Sequence, residues 1–126
     1  MSRIGEIEIA GSKYPLNFST KAAKEIAQRY DGLENIEDAF SGKAVDAMMD
    51  EIVWLLSLLI AQGVAYKRIV EGEEVKGITA EELEVVLGVA DMAGLKDKIM
   101  DAMMGGMKRE VEVEIDPKNA ETTQGK

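Results

Sequence analysis

Residues 46–65, DAMMDEIVWLLSLLIAQGVA, constrain this chain more than any other stretch, because residues 52–61 are apolar at every position except Ser57. A helix is the expected form: no Gly or Pro interrupts the run before Gly63, and Ala, Leu and Met are good helix formers. At about 3.6 residues per turn, Val45, Met48, Met49, Ile52, Leu55, Leu56 and Leu59 share one face, while Ala47, Trp54, Leu58 and Ala61 fall nearly opposite. One wall cannot cover both. Full burial of a large side chain is worth roughly 1.5–3 kcal/mol, so this helix either lies inside its own domain or gives its second face to another subunit.

The flanking sequence predicts a mainly α fold: an N-terminal β-hairpin, then a small helical bundle and a flexible acidic C-terminal tail. Residues 3–18 alternate as a hairpin, with Gly11 and Ser12 as the two-residue turn. That register pairs Ile9 with Tyr14 and Ile7 with Leu16 on one face, and Glu8 with Pro15 and Glu6 with Asn17 on the other. It also puts Pro15, which has no N–H, at a hydrogen-bonded pair, so the second strand is expected at an edge or the turn to be longer.

Ser19 is placed to cap a helix over residues 20–30, with an apolar stripe of Ala23, Ile26, Ala27 and Tyr30 and with Gly32 as its stop. Asn35 offers a cap for a short helix through Phe40, anchored by Ile36 and Phe40, and Gly42 separates it from the central helix. Beyond Gly63, the residues Tyr66, Ile69 and Val70 suit a frayed extension that ends at Gly72. Thr79 with Glu82 forms a capping box, stapled by Ile78 and Leu83, so a helix begins at Ala80 with Leu83, Val86, Leu87 and Ala90 inward. A last helix is expected over residues 95–109, with Leu95, Ile99, Ala102 and Met103 inward and its final turn weakened by Gly105 and Gly106. Residues 110–115, EVEVEI, alternate like a strand, and residues 116–126 read as disordered. The organisation is therefore one domain over residues 1–109 and a strand plus tail over residues 110–126.

Composition narrows the chemistry. A net charge of -9 disfavours nucleic acid and anionic lipid, since a polyanion gains nothing by releasing phosphate counterions; Lys67 and Arg68 are too few to form a basic patch. Protein partners are expected. The absence of cysteine excludes disulfides and fits a reducing cytoplasm. The absence of histidine removes the usual general base and the commonest transition-metal ligand. No enzyme activity, cofactor or metal is expected. Glu6 and Glu8 argue against a signal peptide. The central run falls short of the ~20 apolar residues that span a bilayer, so it reads as part of a soluble protein.

Three surfaces are candidates for function. Ala47, Trp54, Leu58 and Ala61 alternate small with large and suit self-association, with Trp54 as an anchor, unless helices of the same subunit cover them. Met100, Met104 and Met107 form either an adaptable client-binding stripe or simply core. Val111, Val113 and Ile115 would join copies by strand addition, unless the segment is a solvated tail. Glu71, Glu73, Glu74, Glu81, Glu82 and Glu84 read as a solvated acidic belt, because no calcium loop or phosphate-binding sequence accompanies them.

The segments IEIAGSKYPLNFSTKAAKEI, GLENI, VWLLSLLIAQG and ITAEELEVVL together give the chain a layout that resembles the tail assembly chaperones of long-tailed bacteriophages and prophages, over residues 4–107. The resemblance is one of layout and texture, without an invariant string. It implies a mostly helical protein of the host cytoplasm that self-associates into a spiral or ring, coats the tape measure protein, recruits tail tube subunits and is missing from the mature virion. The family also implies a longer product made by programmed frameshifting. The ending Gln124, Gly125, Lys126 allows the slippery heptamer G GGA AAA if its codons are CAG GGA AAA. The alternatives are a structural head-tail connector component that stays in the virion and an acidic adaptor that binds one basic host protein.

Overall fold

The computed structural model describes residues 4–41 and 44–114. Two antiparallel strands, β1 (Gly5–Ile9) and β2 (Ser12–Leu16), lead into α1 (Thr20–Tyr30), α2 (Ile36–Phe40), α3 (Val45–Glu71), α4 (Ala80–Val86) and α5 (Met92–Glu114). Short 3-10 turns at Leu33–Asn35 and Val89–Asp91 precede α2 and α5. The hairpin-then-helices architecture expected from the sequence is the one observed. Arg3, Gly42 and residues 115–126, including the predicted tail, Ile115 and Gln124 to Lys126, lie outside the described residues.

The hairpin turns one residue earlier than Gly11-Ser12. Ala10 and Gly11 occupy the turn with φ of 52° and 85°, and the register is Ile9 with Ser12, Ile7 with Tyr14 and Glu6 with Pro15. Both turn residues have the positive φ of a two-residue turn that follows the twist of the strands. The shift of two residues keeps every side chain on its expected face and resolves the conflict at Pro15. Ile9 and Ser12 flank the turn as a hydrogen-bonded pair, so the alternation makes Glu6 with Pro15 a non-hydrogen-bonded pair and no ladder bond is lost. Exposed Ala10 bears the cost of a left-handed residue with a Cβ. Ala10→Asn is therefore expected to stabilise the fold by about 0.5–1 kcal/mol, read as a higher denaturant midpoint.

The N-termini of α1 and α4 are capped as the sequence indicates. Ser19 Oγ accepts from the Ala22 N–H, and Thr79 and Glu82 exchange both bonds of a capping box. Asn35 differs from expectation. Its amide donates to the carbonyls of Tyr30 and Asp31, closing the end of α1, and it makes no side-chain cap for α2. Ile36 and Phe40 are buried as predicted.

α3 is the element around which the others pack: β2, α1, α2, α4 and α5 all lie against it. Ile52, Leu55, Leu56, Leu59 and Ile60 are fully buried, whereas Val45, predicted on the same face, is 55% exposed in the first turn of α3. The predicted extension is helical through Glu71 and ends at Gly72, which takes the left-handed conformation. By length and composition α3 is sufficient to cross a membrane, contrary to the sequence-based estimate. One side of it, Ile52, Leu55, Leu56, Leu59 and Ile60, is closed over by the rest of the fold.

β2 meets α3 at unusually close range. The Asn17 N–H donates to the Leu59 carbonyl at 3.1 Å and the Asn17 amide to the Gln62 carbonyl at 3.4 Å. Gly63 makes this approach possible, since a Cβ there would press into the backbone of Pro15.

The C-terminal half departs furthest from expectation. α4 stops at Val86 because Leu87 leaves the helical region with ψ of 145°. The spacing that pointed Ala90 inward therefore breaks, and Ala90 is exposed, as is Val86 in the last turn of α4, while Leu83 is fully buried. The Gly88 N–H donates to the Asp91 carboxylate, and the turn passes directly into α5, which buries Met92 ahead of Leu95, Ile99 and Met103. α5 does not end at the glycines. Its backbone stays helical through Glu114, where a strand is expected from the sequence of residues 110–115; Ile115 lies outside the described residues. A strand without a partner strand leaves its N–H and C=O groups to solvent, while helix propagation pairs them within the segment once a nucleus exists.

Candidate functional site

α1 runs antiparallel to α3 and is tied to it at both ends. At one end Ser19 Oγ donates to Gln62 Oε1 at 2.6 Å. At the other, the Tyr30 hydroxyl donates to Glu51 Oε1 at 2.6 Å and Arg29 Nε donates to the same oxygen at 3.1 Å. The Arg29 guanidinium lies 4.3 Å from the centre of the Trp54 ring, and Tyr30 meets Trp54 edge to face at 6.2 Å between centroids. Stacking of this kind adds cation–π attraction to simple burial.

This cluster shifts the titration of its members. Burial, then the hydrogen bond to Glu51, raises Tyr30 well above the ordinary tyrosine value. For Arg29, burial opposes the charge but is outweighed by the bonds to Glu51 and Tyr30, so its value is raised. Because the folded state holds the Tyr30 proton more tightly, the associated stability is fully present below the unfolded tyrosine value near 10 and is lost as pH rises above it. Unfolding titrations from pH 9 to 11 are expected to show a falling stability whose slope is shallower in Tyr30→Phe.

The four residues proposed for self-association have divided environments. Ala47, Trp54 and Leu58 are half-buried and Ala61 is exposed, so α1 covers part of this face and leaves the rest open. Asp50 is exposed, whereas Glu51 is engaged by α1. Of the methionine stripe, Met100 is half-buried and packed on the core, and Met104 is 60% exposed. Met107, Val111 and Val113 follow on the α5 backbone.

Two clefts flank the open part of α3. One lies between α1 and Trp54 and is lined by Lys21, Lys24, Glu25, Gln28 and Arg29. The other, of about 370 Å³, has Met49, Val53, Leu87 and Met92 as an apolar floor and Asp46, Asp50 and Glu84 around it. Nearby Val85 is 83% exposed. Sequence reasoning missed the basic outer face of α1, because it followed only the apolar stripe of that helix. The available signal was Lys21, Lys24 and Arg29 concentrated in one short helix of an acidic chain.

The acidic belt stands in solvent, with all six glutamates exposed. Lys67 is paired with Glu71 and Glu73 at its edge. Among the described residues, no group of three or more His, Cys, Asp or Glu is arranged to hold a metal ion. Comparison of the chain with known protein families, with curated proteins and with solved structures gives no match.

Proposed function

We propose that this protein is a non-enzymatic tail assembly chaperone of a long-tailed phage or prophage, which self-associates, coats the tape measure protein and recruits tail tube subunits in the host cytoplasm. The observation that carries the reading is the incompletely covered second face of α3. Trp54 and Leu58 are half-buried and packed against the core, unlike the fully buried Ile52, Leu55, Leu56 and Leu59 of the other side, and Ala61 beside them is exposed. A lone subunit thus retains apolar helical surface, the property that holding copies of itself and unassembled clients requires. Exposed Met104 adds a flexible side chain able to repack against varied partners. The layout that carries the family resemblance, a hairpin running directly into a helix and then a long central helix, supports the same reading.

The test is co-expression of the full chain with the tape measure protein of the same genome. The expected result is a soluble complex that co-purifies, together with absence of the chain from purified virions by mass spectrometry. Its presence in finished particles would identify a connector component instead, and capture of one basic host protein without tail proteins would identify an adaptor.

A further inference from the structure

We propose that the cleft bounded by the first turns of α3, by α4 and by the start of α5 docks an amphipathic helix of a partner protein, one whose apolar stripe is flanked by lysine or arginine. The inference rests on the reading above that this chain holds other proteins, and it names the surface and the kind of segment that the surface takes. The floor of the cleft is apolar, with Met49 and Met92 contributed by different helices. It does not end where the cleft does. Val45 stands one turn before Met49 and Met49 one turn before Val53, all within about 80° of one another on the helix. Along that row Val53 is buried, Met49 is half-buried and Val45 is 55% exposed, so an apolar track runs out of the cleft along about 12 Å of α3. Val89, which lines the cleft from the turn before α5, is 65% exposed. Two turns of a docked helix, with anchors at i, i+3 or i+4 and i+7, cover a track of that length.

The backbone around the cleft favours a helical occupant over an extended one. The N–H groups that follow α4 are already bonded, that of Leu87 to the Leu83 carbonyl and that of Gly88 to the Asp91 carboxylate. An extended segment laid here finds no row of donors to pair with, whereas a helix satisfies its own backbone. The charge of the occupant follows from the rim. Asp46, Asp50 and Glu84 are all exposed, and among the described residues no basic side chain lines the cleft and no ion pair involves any of the three. Carboxylates around an apolar floor attract a cationic segment and repel an acidic one. A second copy of this chain, with its net charge of -9, brings more acid to that rim, so the charge pattern selects a basic segment of a different protein.

The test titrates the full chain, with isotope-labelled methionine methyls, against a synthetic helical peptide of leucine and lysine that carries one apolar stripe. Saturable binding is expected, with the Met49 and Met92 signals shifting, that of Met104 unmoved, and salt weakening the complex. A peptide of the same composition with its stripe scrambled, and one with glutamate in place of every lysine, are each expected to bind at least about tenfold more weakly. Asp50→Lys with Glu84→Lys, both at exposed positions and checked for native circular dichroism, is expected to reverse the preference between the lysine and glutamate peptides, a gain that misfolding cannot produce. Equal binding of the lysine peptide and either control would overturn the assignment, as would shifts at Met104 in place of Met49 and Met92. Shifts at Met49 and Met92 that grow with the concentration of the chain alone would give the cleft to a second copy and overturn it as well. Co-purification with the tape measure protein is scored separately: a wild type that takes the lysine peptide in this cleft but not the tape measure protein keeps the docking site and loses the chaperone assignment.

Discussion

Replacing Gly63 with alanine is expected to lower the stability of the fold by about 3 kcal/mol, although the same exchange in an open helix interior raises it by about 1 kcal/mol. The reversal comes from β2. A Cβ at position 63 would lie 2.8 Å from the Pro15 Cβ and closer still to the Pro15 carbonyl. Backbone cannot rotate out of the way as a flexible side chain can, so β2 must move off α3. That movement breaks the bond from the Asn17 N–H to the Leu59 carbonyl and strains the Asn17 amide. Asn17 is buried, and leaving a buried donor unpaired costs about 1–3 kcal/mol, on top of about 1–3 kcal/mol for overpacking. Denaturant unfolding followed at 222 nm measures the difference. A Gly63→Ala protein more stable than the wild type would mean that β2 and α3 are not in this close contact.

Gly63 also illustrates what the sequence conveys and what it withholds. Read in isolation it marks the end of an apolar run, with the turns beyond it suited to a frayed extension. Its role depends on Pro15, forty-eight positions earlier by subtraction of the two residue numbers, and no local pattern records such a contact. Local signals served well where the physics is local: Ser19 and Thr79 cap their helices because each needs only the N–H groups a few residues ahead. The hairpin existed in the alternation, but its register depended on which pair of residues accepts positive φ, and Ala10 is a poor advertisement for that conformation. EVEVEI misled for a related reason. Alternation states which faces a strand would have, not whether another strand is present to pair with it.

The candidate site was legible in part. Hydrophobic periodicity identified Trp54, Leu58 and Ala61 as a second face of the central helix, and the fold leaves that face incompletely covered. It did not reveal that Arg29 and Tyr30 clasp Trp54 through Glu51, because that cluster brings together residues from two helices. The same limit hid the placement of Lys21 and Lys24 in the cleft beside Trp54, since they meet α3 only once α1 folds back along it. Tertiary placement of polar residues is the part of this molecule that apolar patterning could not supply.

Whether α3 truly has one sealed face and one open face is tested most directly by two adjacent leucines. Leu59→Ala is expected to cost about 2–5 kcal/mol, and Leu58→Ala less, about 1–2 kcal/mol, since a half-buried side chain loses less apolar burial. Leu59 is fully buried where β2 docks on α3, so truncation leaves a cavity between two elements that cannot readily collapse. Against a total stability of about 5–15 kcal/mol for a domain, the larger loss brings the fold close to its threshold, whereas the smaller one leaves it intact. Both variants change the same side chain in the same helix, so helix propensity cancels and the difference reports burial alone. Equal losses, measured by denaturant unfolding at a concentration low enough to exclude association, would place Leu58 in a closed core. Leu58 would then contribute nothing to the apolar surface on which the proposed function depends.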